Sequence, residues 1–426
     1  MPFPSTFGYE DPPGPGAGCP IGDGGQRLVV QGFWNQSAVK RFGSDLFGSD
    51  TFGGAEGPTE ADWVDLTVYA SDLTFSRGDN LFTANPQTDR LTFLLRDDSA
   101  DIVDWLPPTS LASPTVGTPF RVGFIDAGGD WFPMMVGRLE SMADDHSSPL
   151  RQIVMSIAGT KTDLSTPLLD PDRPSETTRQ RVEWVLAEIG WLWGVAWPAD
   201  PLAFDTDLFA DPDATGSQRT GPASYAWNIV TEAVNSSGYN VSTDNGGQLT
   251  FETLAVDDVT PPAFTITDCH EAIGPGVDVV ASQMEFTANA SQVLNVVQLQ
   301  NRININRSGY ADDATSILLF GRRASGYGFP VVVVNQSELE ADVIAEGIRD
   351  QLSFLVSRVD SVFFSTGTDP TWWEWLDAIM IGTHVAVYRS EPKPLTFQAK
   401  ITGFDIDVTP EFVECQLHLM ALNPTF

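Results

Sequence analysis

The chain is poor in positive charge: 23 Lys and Arg stand against 57 Asp and Glu, a formal charge of −34 at pH 7. Proteins that hold DNA or RNA neutralise phosphates with Lys and Arg, so this balance argues against sequence-specific nucleic-acid binding. It argues equally against docking on an anionic membrane. Lysine is scarcest, at four (Lys40, Lys161, Lys393, Lys400), so nineteen of the bases are arginine. Arginine codons are GC-rich and lysine codons AT-rich, which points to a GC-rich source genome. Three cysteines, Cys19, Cys269 and Cys415, cannot build a disulfide framework, although one bridge among them stays open. Long apolar runs are also missing. The most apolar stretch, Trp184 to Trp197, contains Glu188 and falls short of the ~20 residues a membrane span needs. The first residues have neither a basic start nor an apolar core, so no signal peptide is expected.

What is present is enough to fold. Hydrophobic residues make up 42% and aromatics 11% of 426 residues. That excludes disorder throughout, and the length suggests about two to four domains. Residues 1–60 are rich in Gly and Pro and repeat a short phrase from Phe42, Phe47 and Phe52. They read as an arm that needs a partner surface. Residues 61–165 read as a first β-barrel domain. WVDLTVYA from Trp63 and RLTFLLRD from Arg90 alternate, FRVGFID and DWFPMMVGRLE flank Ala127-Gly128-Gly129, and RQIVMSIAG follows. Residues 166–265 read as an α+β domain. It has helices over Ser175–Ile189, stopped by Gly190, and Pro222–Asn235, then a hairpin turning at Asp244–Gly247. Residues 266–426 read as a second β-barrel domain with one helix, 335–357. Ser337 and Glu340 form a capping box, and Ala341, Ile344, Ile348, Leu352 and Leu355 an apolar face. MEFTANASQVLNVVQLQNRINI is expected to form a strand pair, and the chain ends in strands from Ile381, Leu395 and Phe412. The fold class is thus mainly β with an α+β insert, two related β-barrel-like domains flanking or packed with it.

An internal repeat supports the two copies. VGTPFRV from Val116 aligns on IGTHVAV from Ile381 at an offset of 265, with Gly117 on Gly382 and Val122 on Val387. Without a gap the offset continues to Phe132 on Phe397 and Val136 on Ile401, after which a few residues must be deleted.

Catalytic patterns are lacking. His146, His270, His384 and His418 are widely spaced, and HExxH, GxSxG, Walker A and CxxC do not occur. Cys269 and His270 are neighbours whose side chains diverge in an extended segment. His418 alternates with Cys415, Leu417 and Leu419, which puts it on a solvated or interface face. Asp211 to Gly216 resembles the start of an EF-hand loop, but Pro222 stands where a Glu is needed. Trp372, Trp373 and Trp375 read as buried or interface aromatics before a sugar platform. No catalytic, cofactor-binding or metal-binding residue is nominated.

The succession of patterns resembles a known family. WVDLTVYASDLTFSRG from Trp63, VGTPFRV from Val116, TTRQRVEWVLAEIGW from Thr177, SSGYNVSTDNGGQLTFE from Ser236 and LNVVQLQNR from Leu294 are similar to the baseplate hub, or tail-associated hub, of tailed bacteriophages. Actinobacterial siphophages carry such hubs as minor tail proteins, and the GC-rich bias fits them. The resemblance implies a virion protein at the tail tip, synthesised in the host cytoplasm. It implies a homotrimeric ring of two barrels per chain that closes the tail tube on the DNA ejection path. It also implies contacts with the distal tail protein ring, the tape measure protein and other minor tail, tip or fibre proteins. The chain stops at Phe426 just after the last strand, so no enzymatic extension is expected. Two other readings stay open: a cell-wall- or carbohydrate-acting tail protein, and the hub of a phage-derived injection device.

Overall fold

A computed structural model of the chain describes residues 27–33, 63–67, 69–78, 89–96, 114–125, 131–145, 152–168, 176–198, 204, 207–208, 224–253, 260–268, 279–287, 293–301, 309–324, 332–333, 338–353, 358–365, 379, 381–390, 394–408 and 413–422. The first strands are β1 Arg27–Phe33, β2 Trp63–Asp65, β3 Ala70–Gly78, β4 Arg90–Arg96, β5 Pro119–Ile125, β6 Trp131–Asp145 and β7 Gln152–Gly159. They alternate as half-buried strands do: Leu91, Phe93 and Leu95 of β4 face inward with Ile153, Met155 and Ile157 of β7. The run from Trp63 does not continue as one strand. Asp65 Oδ1 accepts the Thr67 N–H at 2.8 Å, and Leu66 O accepts from Tyr69 N and Ala70 N at 2.9 and 3.0 Å. This side-chain-to-backbone turn competes with the ladder and separates β2 from β3.

β1 corrects the reading of residues 1–60 as an arm. It pairs with β5 from Arg27↔Ile125 to Gly32↔Phe120 and buries Leu28, Val29 and Val30. The Gly/Pro-rich average of the segment hides this short apolar run. Phe42, Phe47 and Phe52 lie outside the described residues.

The middle carries β8 Pro167–Leu168, β9 Glu176–Thr177, α1 Thr178–Ile189, β10 Val195–Ala196, β11 Asp207–Leu208, β12 Ser224–Tyr225, α2 Ala226–Asn235, β13 Tyr239–Thr243 and β14 Leu249–Thr253. α1 starts after the expected Ser175 because Thr177 caps it. The Thr177 side chain accepts the Gln180 N–H, and Gln180 accepts the Thr177 N–H. Gly190, at φ 67°, ends it as expected. α2 starts at Ala226 because Ser224 and Tyr225 pair with β8. Val182, Val185 and Leu186 of α1 share a core with Ile229 and Val230 of α2 and with Val241 and Leu249 of the hairpin.

The second half opens with β15 Phe264–Thr267, β16 Val279–Val280 and β17 Gln283–Thr287. Next come β18 Val296–Gln298, β19 Gln300–Asn301, β20 Tyr310–Asp312, α3 Ala314–Phe320, β21 Val332–Val333 and α4 Glu338–Leu352. It closes with β22 Arg358–Ser365, β23 His384–Arg389, β24 Leu395–Val408 and β25 Val413–Ala421. The expected pairing of β17 with β18 does not form: β17 pairs with β22, and β18 with β20. The two neighbours in sequence belong to different cores. Val297, Leu299, Ala311, Ala345 and Ile348 make a separate small one. α4 spans less than the expected 335–357, and Ser337 lies outside the described residues.

Both halves share one 14-stranded sheet and one strand order. The first runs β1-β5-β6-β7-β4-β3 and the second β15-β23-β24-β25-β22-β17. Gly117 and Gly382 adopt φ 92° and 93°, the left-handed region that favours glycine. Gly117 N–H donates to Leu139 O at 2.8 Å, and Gly382 N–H to Ile401 O at 2.8 Å. The fold is therefore mainly β, with two related barrel-like units. The offset, however, changes inside the hairpin, not after it. Val122 faces Met135 and Val387 faces Phe397, so beyond the turn the offset is 262 (Leu139 to Ile401). A longer hairpin end and a bulge at Val122/Gly123 account for the three extra residues of the first copy. The copies then stay in step: both carry a bulge at the same place, Leu139/Ser141 and Ile401/Gly403. One difference is the first strand, antiparallel to β5 in one half and parallel to β23 in the other.

Candidate assembly site

The two halves are joined by strand pairing. β3 lies antiparallel along β24 from Gly78↔Gly403 to Leu73↔Val408. A Cβ on Gly403 would sit 2.8 Å from Arg77 O and 2.9 Å from Gly78 Cα, so only glycine allows this approach. On the inner face Phe75 meets Phe404 edge-to-face, with centroids 5.3 Å apart. One core runs through both halves as a result.

Arg77 is the unexpected residue of this junction. It is in phase with Leu73 and Phe75 and is 2% exposed. Its guanidinium donates to Met134 O at 3.2 Å and, by short contacts, to Asn245 Oδ1 and Thr243 O. Asp89, also buried, lies 3.4 Å from its Nε. The planar fork reaches both a barrel strand and the hairpin of the α+β unit, which a lysine could not do. More contacts pin the same unit. Arg138 and Trp193 Nε1 both donate to Asp163, at 3.1 and 3.0 Å, and Arg138 lies over the Trp193 ring. Buried Lys161 points its Nζ at Gly78 O, 3.5 Å away. Gly247, at φ 82°, lets the hairpin turn press on Thr160. Lys400 of β24 pairs with Glu252 of β14 and so ties the unit to the second half.

The outer face of the sheet at this junction is polar. Arg90 pairs with Glu140 at 3.2 Å, Arg96 with Asp72 at 2.6 Å, and His418 with Asp405 at 2.8 Å. The hydrogen bond from His418, with a second from Ser76, holds the Asp405 carboxyl below its ordinary range against the opposing effect of burial. Asp407 and Glu414 are exposed and directly opposite one another across β24 and β25. Arg90, Arg96 and His418 thus each have an acidic partner here, and Asp407 and Glu414 face each other.

The same strand positions end differently elsewhere. β24 takes β23 and then β3 along one edge, with β25 on the other. β6 takes β5 up to Arg138 and β7 on its other edge. Among the described residues, nothing pairs with the edge of β6 over Ser141–Asp145, the counterpart of the stretch that β3 occupies on β24. Among the described residues β17, the counterpart of β3, pairs with β22 alone.

The residues weighed in the sequence for chemistry are dispersed. Cys415 is buried with a free thiol, whose pKa burial pushes up, with a smaller push from the Asp405 charge. That places it far from nucleophilic thiolate chemistry. His384 is buried opposite Lys400 on β23. His418 sits half-exposed on the polar face, where its alternation places it. Cys19, His146, Cys269, His270, the acidic loop at Asp211 and the Trp372–Trp375 cluster lie outside the described residues. Among the described residues no three His, Cys, Asp or Glu side chains converge as for a metal.

Comparison with solved structures bears on what such a pair of fused barrels is. A tail protein from Neisseria meningitidis matches with a TM-score of 0.53 at 13% identity, over 84% of this chain and 94% of that one. The chain has a phage-tail-protein fold. The 43 kDa tail protein of prophage MuSo2 from Shewanella oneidensis matches with a TM-score of 0.50 at 10% identity, over 94% of this chain and 99% of that one. No family model matches the chain, and no curated protein does. In this tail-protein fold the β3–β24 seam is the element that joins barrel to barrel.

Proposed function

We propose that the chain is a non-enzymatic subunit of a homotrimeric tail-tip hub. The observation that carries this reading is a pair of edges that take no further strand among the described residues. Within the chain, β3 of the first barrel docks on β24 of the second. The counterpart of β3 is β17, and the counterpart of that stretch of β24 is Ser141–Asp145 of β6. Docking β17 of one copy on β6 of the next repeats the internal seam between chains. The contact is head-to-tail, and a head-to-tail contact closes into a ring when the rotation allows. Three copies give six barrels, the number needed to sit beneath a hexameric tube. The units of this subunit are residues 61–165 with β1 added, 166–265 and 266–426.

In this reading the ring closes the tube below the distal tail protein. It lies on the DNA ejection path, and it links the tape measure protein to tip or fibre proteins. The polar face of the sheet faces the channel, where Asp407 and Glu414 repel phosphates and the paired arginines offer them little. The protein acts in the virion. The expected image is a cryo-EM reconstruction of the assembled tip with three copies at one level and a continuous sheet through β17 and β6. One copy or six at that level, or a channel wall of unpaired arginines, would overturn the reading.

A further inference from the structure

The repeat can be followed residue by residue through the seam. β24 maps onto β6 by the offset of 262 that takes Ser141 to Gly403, because Ser141 faces Ser156 of β7 and Gly403 faces His418 of β25. Ser156 in turn faces Thr92 of β4, and His418 faces Ser361 of β22, so Thr92 and Ser361 correspond. Thr92 faces Thr74, and Ser361 faces Glu285. β3 therefore maps onto β17 with Thr74 on Glu285, Phe75 on Phe286 and Ser76 on Thr287, and the phrases TFS and EFT agree with that alignment. Inside the chain, Ser76 faces Asp405, and exposed Thr74 faces exposed Asp407. The positions of β6 that correspond to Asp405 and Asp407 are Ala143 and Asp145.

We infer that β17 meets β6 of a second copy in this inherited register, Thr287 opposite Ala143 and Glu285 opposite Asp145, so that charge regulates the seam between copies. The inference rests on the ring proposed above. Within the chain a hydroxyl stands opposite an acid, whereas between copies an acid stands opposite an acid. Glu285 is exposed, and its hydrogen-bond donors Ser361 and Gln283, at 3.2 and 3.3 Å, are neutral. Like charges directly opposite across an antiparallel pair are destabilising. On a chain of charge −34 this adds to the general repulsion between copies. Free copies are held apart, and the ring closes where neighbouring proteins raise their effective concentration.

The test is sedimentation of the full chain over a concentration series, with E285K, D145K and the double variant E285K/D145K. Either lysine alone turns the like pair into an opposite pair and is expected to lower the concentration for half-association at least about threefold. Both together restore a like pair, so the double variant is expected to lose that gain although its net charge is the least negative of the set. Relief of general repulsion alone would instead make the double variant associate most strongly. The register has its own readout. A143C/T287C in one chain is expected to give disulfide-linked oligomers under mild oxidation where the parent gives none, since paired strand positions lie about 4.5–5.5 Å apart, within disulfide reach. A double variant tighter than both single ones, or single variants that associate at the parent's concentration, overturns the charge regulation and leaves the ring standing. Association without the linked oligomers overturns the register and also leaves the ring. Parent and lysine variants that all stay monomeric at every concentration overturn both.

Discussion

Replacing Arg77 by Met keeps much of the stem and removes the fork. The structure sets the cost. Met134 O, Asn245 Oδ1 and Thr243 O lose their donor, and the Asp89 carboxylate loses the cation beside it. Arg77 is 2% and Asp89 3% exposed, so water does not replace the guanidinium. Removing one partner of a buried ion pair costs about 3–5 kcal/mol, and the stranded backbone acceptors keep R77M in the upper part of that range. Arg77→Lys should recover part of the loss, because it restores charge but not the fork. R77M/D89N should be less destabilised than the sum of its single changes, because the stranded charge is gone. Denaturant titration reads the global effect. Amide exchange at Thr243 to Gln248 reads the local one, since Arg77 holds that hairpin to the barrel. An R77M protein within about 0.5 kcal/mol of the parent, with unchanged protection of the hairpin, would refute the reasoning.

Other outcomes follow from the same geometry. Gly403→Ala should cost about 1–3 kcal/mol as an overpacked contact, measured by denaturant midpoint, because the new methyl has only Arg77 and Gly78 backbone to push against. Asp405 has a depressed carboxyl pKa in the folded state, so its contribution to stability is present above the ordinary Asp value near 4 and is lost as pH falls through the lower folded value. His418→Phe should raise the Asp405 titration midpoint in a carboxyl NMR titration, and an unmoved midpoint would remove His418 as the cause. Deleting residues 1–50 should destabilise the first barrel by several kcal/mol, at about 1.5–3 kcal/mol for each fully buried aliphatic side chain of β1. A deletion chain that melts with the parent would show that β1 is dispensable.

Much of the sheet was legible because its strands alternate. RLTFLLRD, FRVGFID and FVECQLHLMAL carry the period-2 pattern that burying one face of a strand demands, and they became β4, β5 and β25. The Gly117 and Gly382 pair marked the repeat because only that backbone geometry needs glycine in both copies. Less was legible where a local hydrogen bond overrides the pattern. Asp65 ended a run that looked like one strand, and Thr177 moved the start of α1. Pairing partners were not legible at all for β17, because its partner β22 lies beyond the whole small unit of β18 to α4. Arg77 did leave a signal. In ASDLTFSRG it takes the inward phase of Leu73 and Phe75, and a charge in a core phase calls for a buried partner.

The two copies differ most at their seams, and the difference has a physical logic. Gly403, on β24, lets β3 approach until backbone touches backbone. Its counterpart on β6, in step through the shared bulge, is Ser141. A side chain there rules out the Cβ-free contact that Gly403 makes, so a strand docking on β6 must leave room opposite Ser141. The internal seam forms while the chain folds, between segments already tethered, and can bury Arg77 and Asp89 beside it. A seam between copies forms from exposed edges, and an exposed edge must not pair with the wrong strand beforehand. Glu140 and Ser141 leave the β6 edge polar, and Gln283 and Glu285 do the same for β17, all of them exposed. The duplication therefore supplies one geometry twice. One copy of the junction is closed by glycine and a buried arginine, and the other takes no strand among the described residues, which is the edge the proposed ring would use.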